Sequence, residues 1–172
     1  AKVILQSFAK TGLSVEETLN KVNEIICSNN PMEMFVTVWM GILEISTGKL
    51  TAANAGHEYP VIKRADGPFE VYKEKHGLVV GAMEDVKYKG YELQLNPGDK
   101  LFLYTDGLPE ATDAELKMFT IDRALAALNA DPQASPEQLL SNVQEAVIDF
   151  VKDAEQFDDL TMLCLEYKGQ QS

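Results

Sequence analysis

The stretch Lys100-Leu101-Phe102-Leu103-Tyr104-Thr105-Asp106-Gly107 constrains the fold more than any other. An apolar, β-favouring run ends abruptly in a carboxylate and a glycine. It is too short for a helix of useful length and reads as a buried strand. Asp106 falls where that strand emerges, beside a Gly that admits close approach of backbone or ligand. A second stretch echoes it, with Gln156-Phe157-Asp158-Asp159 running straight into Leu160-Thr161-Met162-Leu163-Cys164-Leu165. There the carboxylates stand at the start of a buried strand, where an unpaired charge is costly. Strand ends carrying Asp can meet in space although 52 positions separate Asp106 from Asp158. Their meeting would make an oxygen-ligand site for Mg²⁺ or Mn²⁺. Adjacent acids at 158 and 159 repel and gain from a shared cation. The competing reading makes Asp106 an Asx-turn residue and the acidic pair a solvated loop.

The rest of the chain supplies the elements around these two strands. Ala1 to Lys10 reads as the tail of a helix with no start signal, so the expectation is a piece trimmed from a longer chain. Ser14 opens a second helix, with Glu17 completing a capping-box pattern. Val15, Leu19, Val22 and Ile26 form its apolar stripe, and Asn29-Asn30-Pro31 ends it. Met34 to Ile45 suits a strand buried on both faces. Leu50 to Ala55 returns as its antiparallel partner after the Ser46–Lys49 turn. The Gly56–Pro60 reversal, Val61 to Arg64, the Asp66-Gly67 turn and Phe69 to Tyr72 extend this into a meander of hairpins. Val86, Tyr88, Tyr91, Leu93 and Leu95 alternate, with a phase slip at Gly90 that signals a bulge. Asn96-Pro97-Gly98-Asp99 turns the chain into the central strand. Thr120 caps a short helix, and Ser135-Pro136 starts another whose Leu139, Val143, Ala146, Val147 and Phe150 face the core. Helices, a run of strands, more helices and a last strand make an α+β fold.

Composition narrows the function. A chain of 172 residues, 45% hydrophobic, can bury a sizeable core. The net charge of −12 disfavours nucleic acid and anionic membrane as partners. It is concentrated between Asp106 and Asp159, where thirteen acids face only Lys117, Arg123 and Lys152. No apolar run reaches the length of a membrane span, and no secretory signal pattern is present. Cys27 and Cys164 lie in separate apolar elements, so two buried thiols in a reduced, cytosolic setting are expected. His57, in Asn54-Ala55-Gly56-His57, reads as part of a tight turn built by Asn54 and Gly56 rather than as a ligand. Trp39, Met32, Met34 and Met40 read as core. Thr105 reads as capping the turn at Asp106. There is no Gly-rich phosphate loop, no Ser-His-Asp order and no zinc-type spacing. A hydrolase built from this chain would use metal-activated water.

Four motifs occur in order: Met34-Phe35-Val36-Thr37, Asn54-Ala55-Gly56-His57, Gly98-Asp99 with Leu101 to Gly107, and Phe157-Asp158-Asp159-Leu160-Thr161. Together they resemble the metal-dependent protein serine/threonine phosphatases, in the bacterial branch typified by stage II sporulation protein E. The resemblance spans about Lys2 to Tyr167. It implies two antiparallel sheets packed as a sandwich flanked by helices, and a binuclear Mn²⁺/Mg²⁺ centre that activates water against phosphoserine or phosphothreonine. It assigns Asp106 and Asp158 as metal ligands, and Gly107 and Asp159 as residues supporting them. It makes Gly77 to Met83 a mobile segment, with Val79 where relatives often have Pro. It implies a phosphorylated regulatory protein of the anti-sigma-factor antagonist type as substrate, in stress or sporulation signalling, and a cytoplasmic domain. Relatives carry a Gly-Asp-x-Tyr-Asp strand and an Asp-x-Ser-Gly-Lys-Gly turn before the first helix. Neither is present here. Residues 1–172 are therefore expected to form a single phosphatase-like domain lacking its first strands, weak or inactive alone, and prone to self-association through unpaired sheet edges. The rival reading is a catalytically dead module that binds a phosphoprotein or regulator.

Overall fold

In a computed structural model of the chain, the described residues are 12–28, 34–152, 154 and 159–170. The expected helix over Ala1 to Lys10, the Asn29–Pro31 stop and Met32 lie outside them. Among the described residues the elements in chain order are α1 (Val15–Ser28), β1 (Val38–Glu44), β2 (Lys49–Ala55), β3 (Val61–Lys63), β4 (Phe69–Val71), β5 (Gly90–Gln94), β6 (Lys100–Tyr104), α2 (Thr120–Ala130), α3 (Pro136–Val151) and β7 (Met162–Glu166). They form an α+β fold with two antiparallel sheets, in two compact units: 1–57 with 74–95, and 58–73 with 96–172.

In the first unit, α1 starts as its sequence dictates. The Ser14 N–H donates to Glu17 Oε2 at 3.0 Å, and the Glu17 N–H donates to Ser14 Oγ at 3.2 Å. Each satisfies an N–H that the first turn leaves unpaired. Val15, Leu19 and Val22 are fully buried against Val38, Ala53, Ala55, Val80 and Tyr88. The sheet order is β1-β2-β5, with Leu43 opposite Leu50 and Leu50 opposite Leu93.

Four expectations fail here. The strand expected over Met34–Ile45 is only Val38–Glu44, and it is not buried on both faces: among the described residues it pairs on one side, with Gly41, Ile42 and Glu44 exposed. Met34, expected in the core, is exposed, while Met40 packs against the α1 cluster and Trp39 is half-buried, donating Nε1–H to Tyr91 Oη at 2.8 Å. The meander also breaks. β2 pairs with β5 and β3 with β6, so the Gly56–Pro60 reversal carries the chain from one sheet to the other. Gly90 is the first residue of β5 rather than a bulge within a longer strand. Its N–H donates to Glu16 Oε1 at 3.1 Å, and a Cβ there would collide with that carboxylate. The glycine admits a side chain from α1.

In the second unit the order is β4-β3-β6-β7. Val61, Phe69, Phe102, Tyr104, Leu108 and Phe119 pack with Leu128, Leu139 and Val143 of α2 and α3. Ser135 Oγ accepts from the Gln138 N–H and Pro136 occupies the first turn, so α3 begins as read. α2 does not: its N-cap position falls on Phe119, which makes no side-chain cap, and Thr120, its first residue, sits at a left-handed φ of +68°. Phe119 is held instead by burial, with its ring edge-on to Phe150. Asp99, 1% exposed, accepts from Asn96 N–H (2.9 Å), Ala65 N–H (2.9 Å) and Arg64 Nη1 (2.7 Å). It joins the turn before β6 to the hairpin between β3 and β4. Buried Lys63 supplies its ammonium to the carbonyls of Arg64 and Ala65 in the same hairpin. Asn129 of α2 accepts from the Phe69 N–H at 2.7 Å and donates to the Phe69 carbonyl at 3.1 Å.

Candidate metal centre

β6 and β7 run antiparallel, with Tyr104 opposite Met162, so the C-terminal end of β6 faces the start of β7. The pairing continues past both strands. Thr105 N–H donates to the Thr161 carbonyl at 3.0 Å. Thr105 Oγ1 accepts from Thr161 N–H at 3.1 Å and donates to the Asp159 carbonyl at 3.2 Å. Thr105 thus does more than cap a turn: its hydroxyl ties two chain segments together.

Gly107 follows from this closeness. A Cβ on it would lie 2.6 Å from the Asp159 carbonyl oxygen and 3.1 Å from the carbonyl carbon. Only glycine lets the backbone of Asp159 pass. Asp106 is exposed, and its Oδ1 accepts from the Gly107 N–H at 3.0 Å, one residue on rather than the two of an Asx-turn. Its carbonyl accepts from Glu110 N–H at 3.0 Å. Two residues back, burial holds the Tyr104 phenol well above its ordinary pKa, with Glu58 adding in the same direction. It therefore stays protonated at neutral pH.

The carboxylate of Asp106 suits a hard divalent cation. It is an oxygen donor, open to solvent, two residues beyond the end of buried β6. Among the described residues no group of three His, Cys, Asp or Glu side chains is close enough to hold a metal. A hard cation wants about six oxygens, and Asp106 offers a single carboxylate here. Asp158 lies outside the described residues. The backbone of Asp159 is brought to Gly107, as above.

The Asn54–His57 turn closes as read. Asn54 Oδ1 accepts from His57 N–H at 2.8 Å, and its Nδ2 donates to the His57 carbonyl at 3.0 Å and to Glu74 Oε1 at 2.7 Å. Gly56 adopts φ +70°, and a Cβ there would strike Val79. The segment from Gly77 to Met83 is pinned at several points. Gly77 N–H donates to the Asn54 carbonyl, Val36 and Val80 exchange two 2.9 Å bonds, and Gly81 N–H donates to buried Asn23 Oδ1 at 2.8 Å. Sequence reasoning missed Asn23, which has no signal beyond its place on the inner face of α1. Both cysteines are free thiols and half-buried.

Residues 1–168 match the sequence profile described as Stage II sporulation protein E (SpoIIE). The chain belongs to the stage II sporulation protein E family. It is 32% identical over 141 residues to Protein IcfG of Synechocystis sp., covering 82% of this chain and 22% of that protein. It is 25% identical over 168 residues to Phosphoserine phosphatase RsbU of Bacillus subtilis, covering 97% and 49%. The chain thus spans about a fifth and about half of the lengths of these two curated relatives. The fold is that of PP2C-type phosphatase domains: the SiaA-PP2C domain of Pseudomonas aeruginosa superposes with a TM-score of 0.81 at 15% identity, covering 96% of this chain and 66% of that one. Among the described residues no helix is long and apolar enough to cross a membrane.

Proposed function

We propose that residues 1–172 act as one metal-dependent protein serine/threonine phosphatase domain in bacterial stress or sporulation signalling, working in the cytoplasm. Its substrate on this reading is a phosphorylated regulatory protein of the anti-sigma-factor antagonist type. Asp106 and Asp158 are the carboxylate ligands for Mn²⁺ or Mg²⁺. The observation that carries the reading is the junction where Thr105 and Gly107 hold the backbone of residues 159–161 on either side of Asp106, just beyond β6. Family membership and the kinship with RsbU support it.

When bound, the metal supplies positive charge to the phosphoryl oxygens and lowers the pKa of water. The chain's own residues position it. The Gly107 N–H fixes one oxygen of Asp106, leaving the other to a cation. Thr105 and Gly107 set the approach of the segment that follows Asp158, and Asp159 contributes its backbone to that contact. Two carboxylates fall short of the six oxygens a hard cation wants, so these residues alone hold the metals weakly and turn over slowly. Calorimetric titration with Mn²⁺ tests the assignment. Asp106→Asn is expected to weaken binding by about a hundredfold or more, and hydrolysis of a phosphoserine protein should fall with it. Equal Mn²⁺ affinity in the variant and the wild type would overturn the reading.

A further inference from the structure

Five residues beyond Asp106 the chain makes a finger. Residues 111–119 form a hairpin. Phe119 N–H donates to the Ala111 carbonyl at 2.7 Å, Thr112 bridges Met118, and Asp113 N–H donates to the Lys117 carbonyl at 3.1 Å. Its root is buried: Leu108 and Phe119 are core residues, and Thr120 N–H donates to the Pro109 carbonyl. Its tip is rigid. Asp113 Oδ1 accepts from both Glu115 N–H (2.9 Å) and Lys117 N–H (3.0 Å), and the Asp113 carbonyl accepts from Leu116 N–H (3.0 Å).

This scaffold presents apolar side chains to water. Leu116 is 75% exposed and Met118 56% exposed. Leu116 sits at φ +61°, a conformation that glycine or asparagine adopts far more readily than a branched residue. A Gly or Asn would serve the turn better. A strained leucine aimed outward on a preorganised loop has the character of a binding anchor. The finger is net acidic, with Glu110 at its root and Asp113 and Glu115 toward its tip against one cation, Lys117, which pairs with Glu115 at 2.6 Å. Asp113 also lines an open groove of about 560 Å³ between α2 and α3, together with Arg123 and Phe150. Finger and groove therefore form one continuous surface.

We propose that Leu116 and Met118 form a recognition finger that seats in an apolar recess, rimmed by basic residues, on the phosphoprotein substrate. The inference rests on the phosphatase reading and deepens it. The finger starts one turn beyond Asp106, whose carbonyl receives the Glu110 N–H, so it docks the substrate protein while the phosphoserine meets the metal site. The basic rim follows from the acidic flank.

The test measures binding of a serine-phosphorylated anti-sigma-factor antagonist to the full chain with Mn²⁺ present. Leu116→Asn suits the left-handed position, so it keeps the fold. It is expected to weaken binding by about tenfold while Mn²⁺ affinity stays unchanged. Met118→Gln should act in the same direction. Glu115→Lys should slow association and flatten its salt dependence. Unchanged antagonist binding in both apolar variants would overturn the finger while leaving the phosphatase reading intact. Failure of the wild type to bind either the antagonist or Mn²⁺ would overturn both. If light scattering finds a dimer that Leu116→Asn converts to monomer, the finger seats on a second copy of this chain, and the substrate assignment falls.

Discussion

Gly107→Ala probes the junction on which the site is built. The new methyl carbon would lie 2.6 Å from the Asp159 carbonyl oxygen, 3.1 Å from its carbon and 3.4 Å from the Leu160 nitrogen. All three are backbone atoms, so no rotamer change relieves the contact. The carbonyl cannot swing away without breaking its bond from Thr105 Oγ1, and Thr161 is paired to Thr105 on either side of it. Overpacking of this kind costs about 1–3 kcal/mol, and the lost hydrogen bond adds about 1 kcal/mol. With a urea slope of about 2 kcal/mol per M, the midpoint should fall by about 1–2 M at constant slope. Gly67→Ala is the control, because its Cβ would meet nothing closer than 3.8 Å and its turn needs no left-handed φ. It should shift the midpoint little. Urea unfolding followed by tryptophan fluorescence and circular dichroism reads both variants. If Gly107→Ala unfolds at the wild-type midpoint, the segment at 159–161 is not held against β6, and the structural basis of the proposed centre is lost.

Asp99 and Arg64 separate a buried hub from a surface ion pair. Asp99→Asn turns one carboxylate oxygen into a donor facing donors, and should cost about 2–4 kcal/mol, whereas Arg64→Ala should cost about 1 kcal/mol because the guanidinium is half-exposed. Equal losses on urea unfolding would show that the ion pair, not the backbone N–H bonds, carries the site. Burial pushes the Cys164 thiol up to about 11, against opposition from Lys100. The folded thiol keeps its proton where the unfolded one has lost it, so this group's contribution to stability is intact below pH 9 and is lost between pH 9 and about 11. Iodoacetamide should accordingly alkylate Cys164 at pH 8 at least about tenfold more slowly in the native protein than in urea, read by peptide mass spectrometry. Equal rates would refute the burial argument.

Local chemistry made much of this fold legible. Ser14 with Glu17 and Ser135 with Pro136 declare helix starts because capping acts within four residues. The apolar run at 100–104 declares a strand because every inward position is filled. What escaped was decided by partners far along the chain. Periodicity reports an apolar face, not the neighbour it meets, so it could not tell that β2 pairs with β5 and β3 with β6. Nor could it tell that β1, among the described residues, pairs on one side. Gly90 looked like a bulge because its visitor, Glu16, lies in a helix. Gly98-Asp99 stood out as a motif, but its role as an acceptor of hydrogen bonds from Ala65 and Arg64 required the fold. Asp106 stood out because an apolar run ends in it, yet its carboxylate is exposed, so the expected cost of a buried charge does not arise there. The tie that Thr105 makes to residues 159–161 did not stand out, because a hydroxyl carries no such signature.

The amide of Asn129 imitates a missing strand. It offers Phe69 one acceptor and one donor, the same pair a neighbouring β-residue would offer. An incoming chain seeking to extend the sheet beside β4 would find those places taken, and would have to evict a side chain anchored in α2. Stacking without limit requires two vacant flanks, and here a single residue from a helix has plugged one of them.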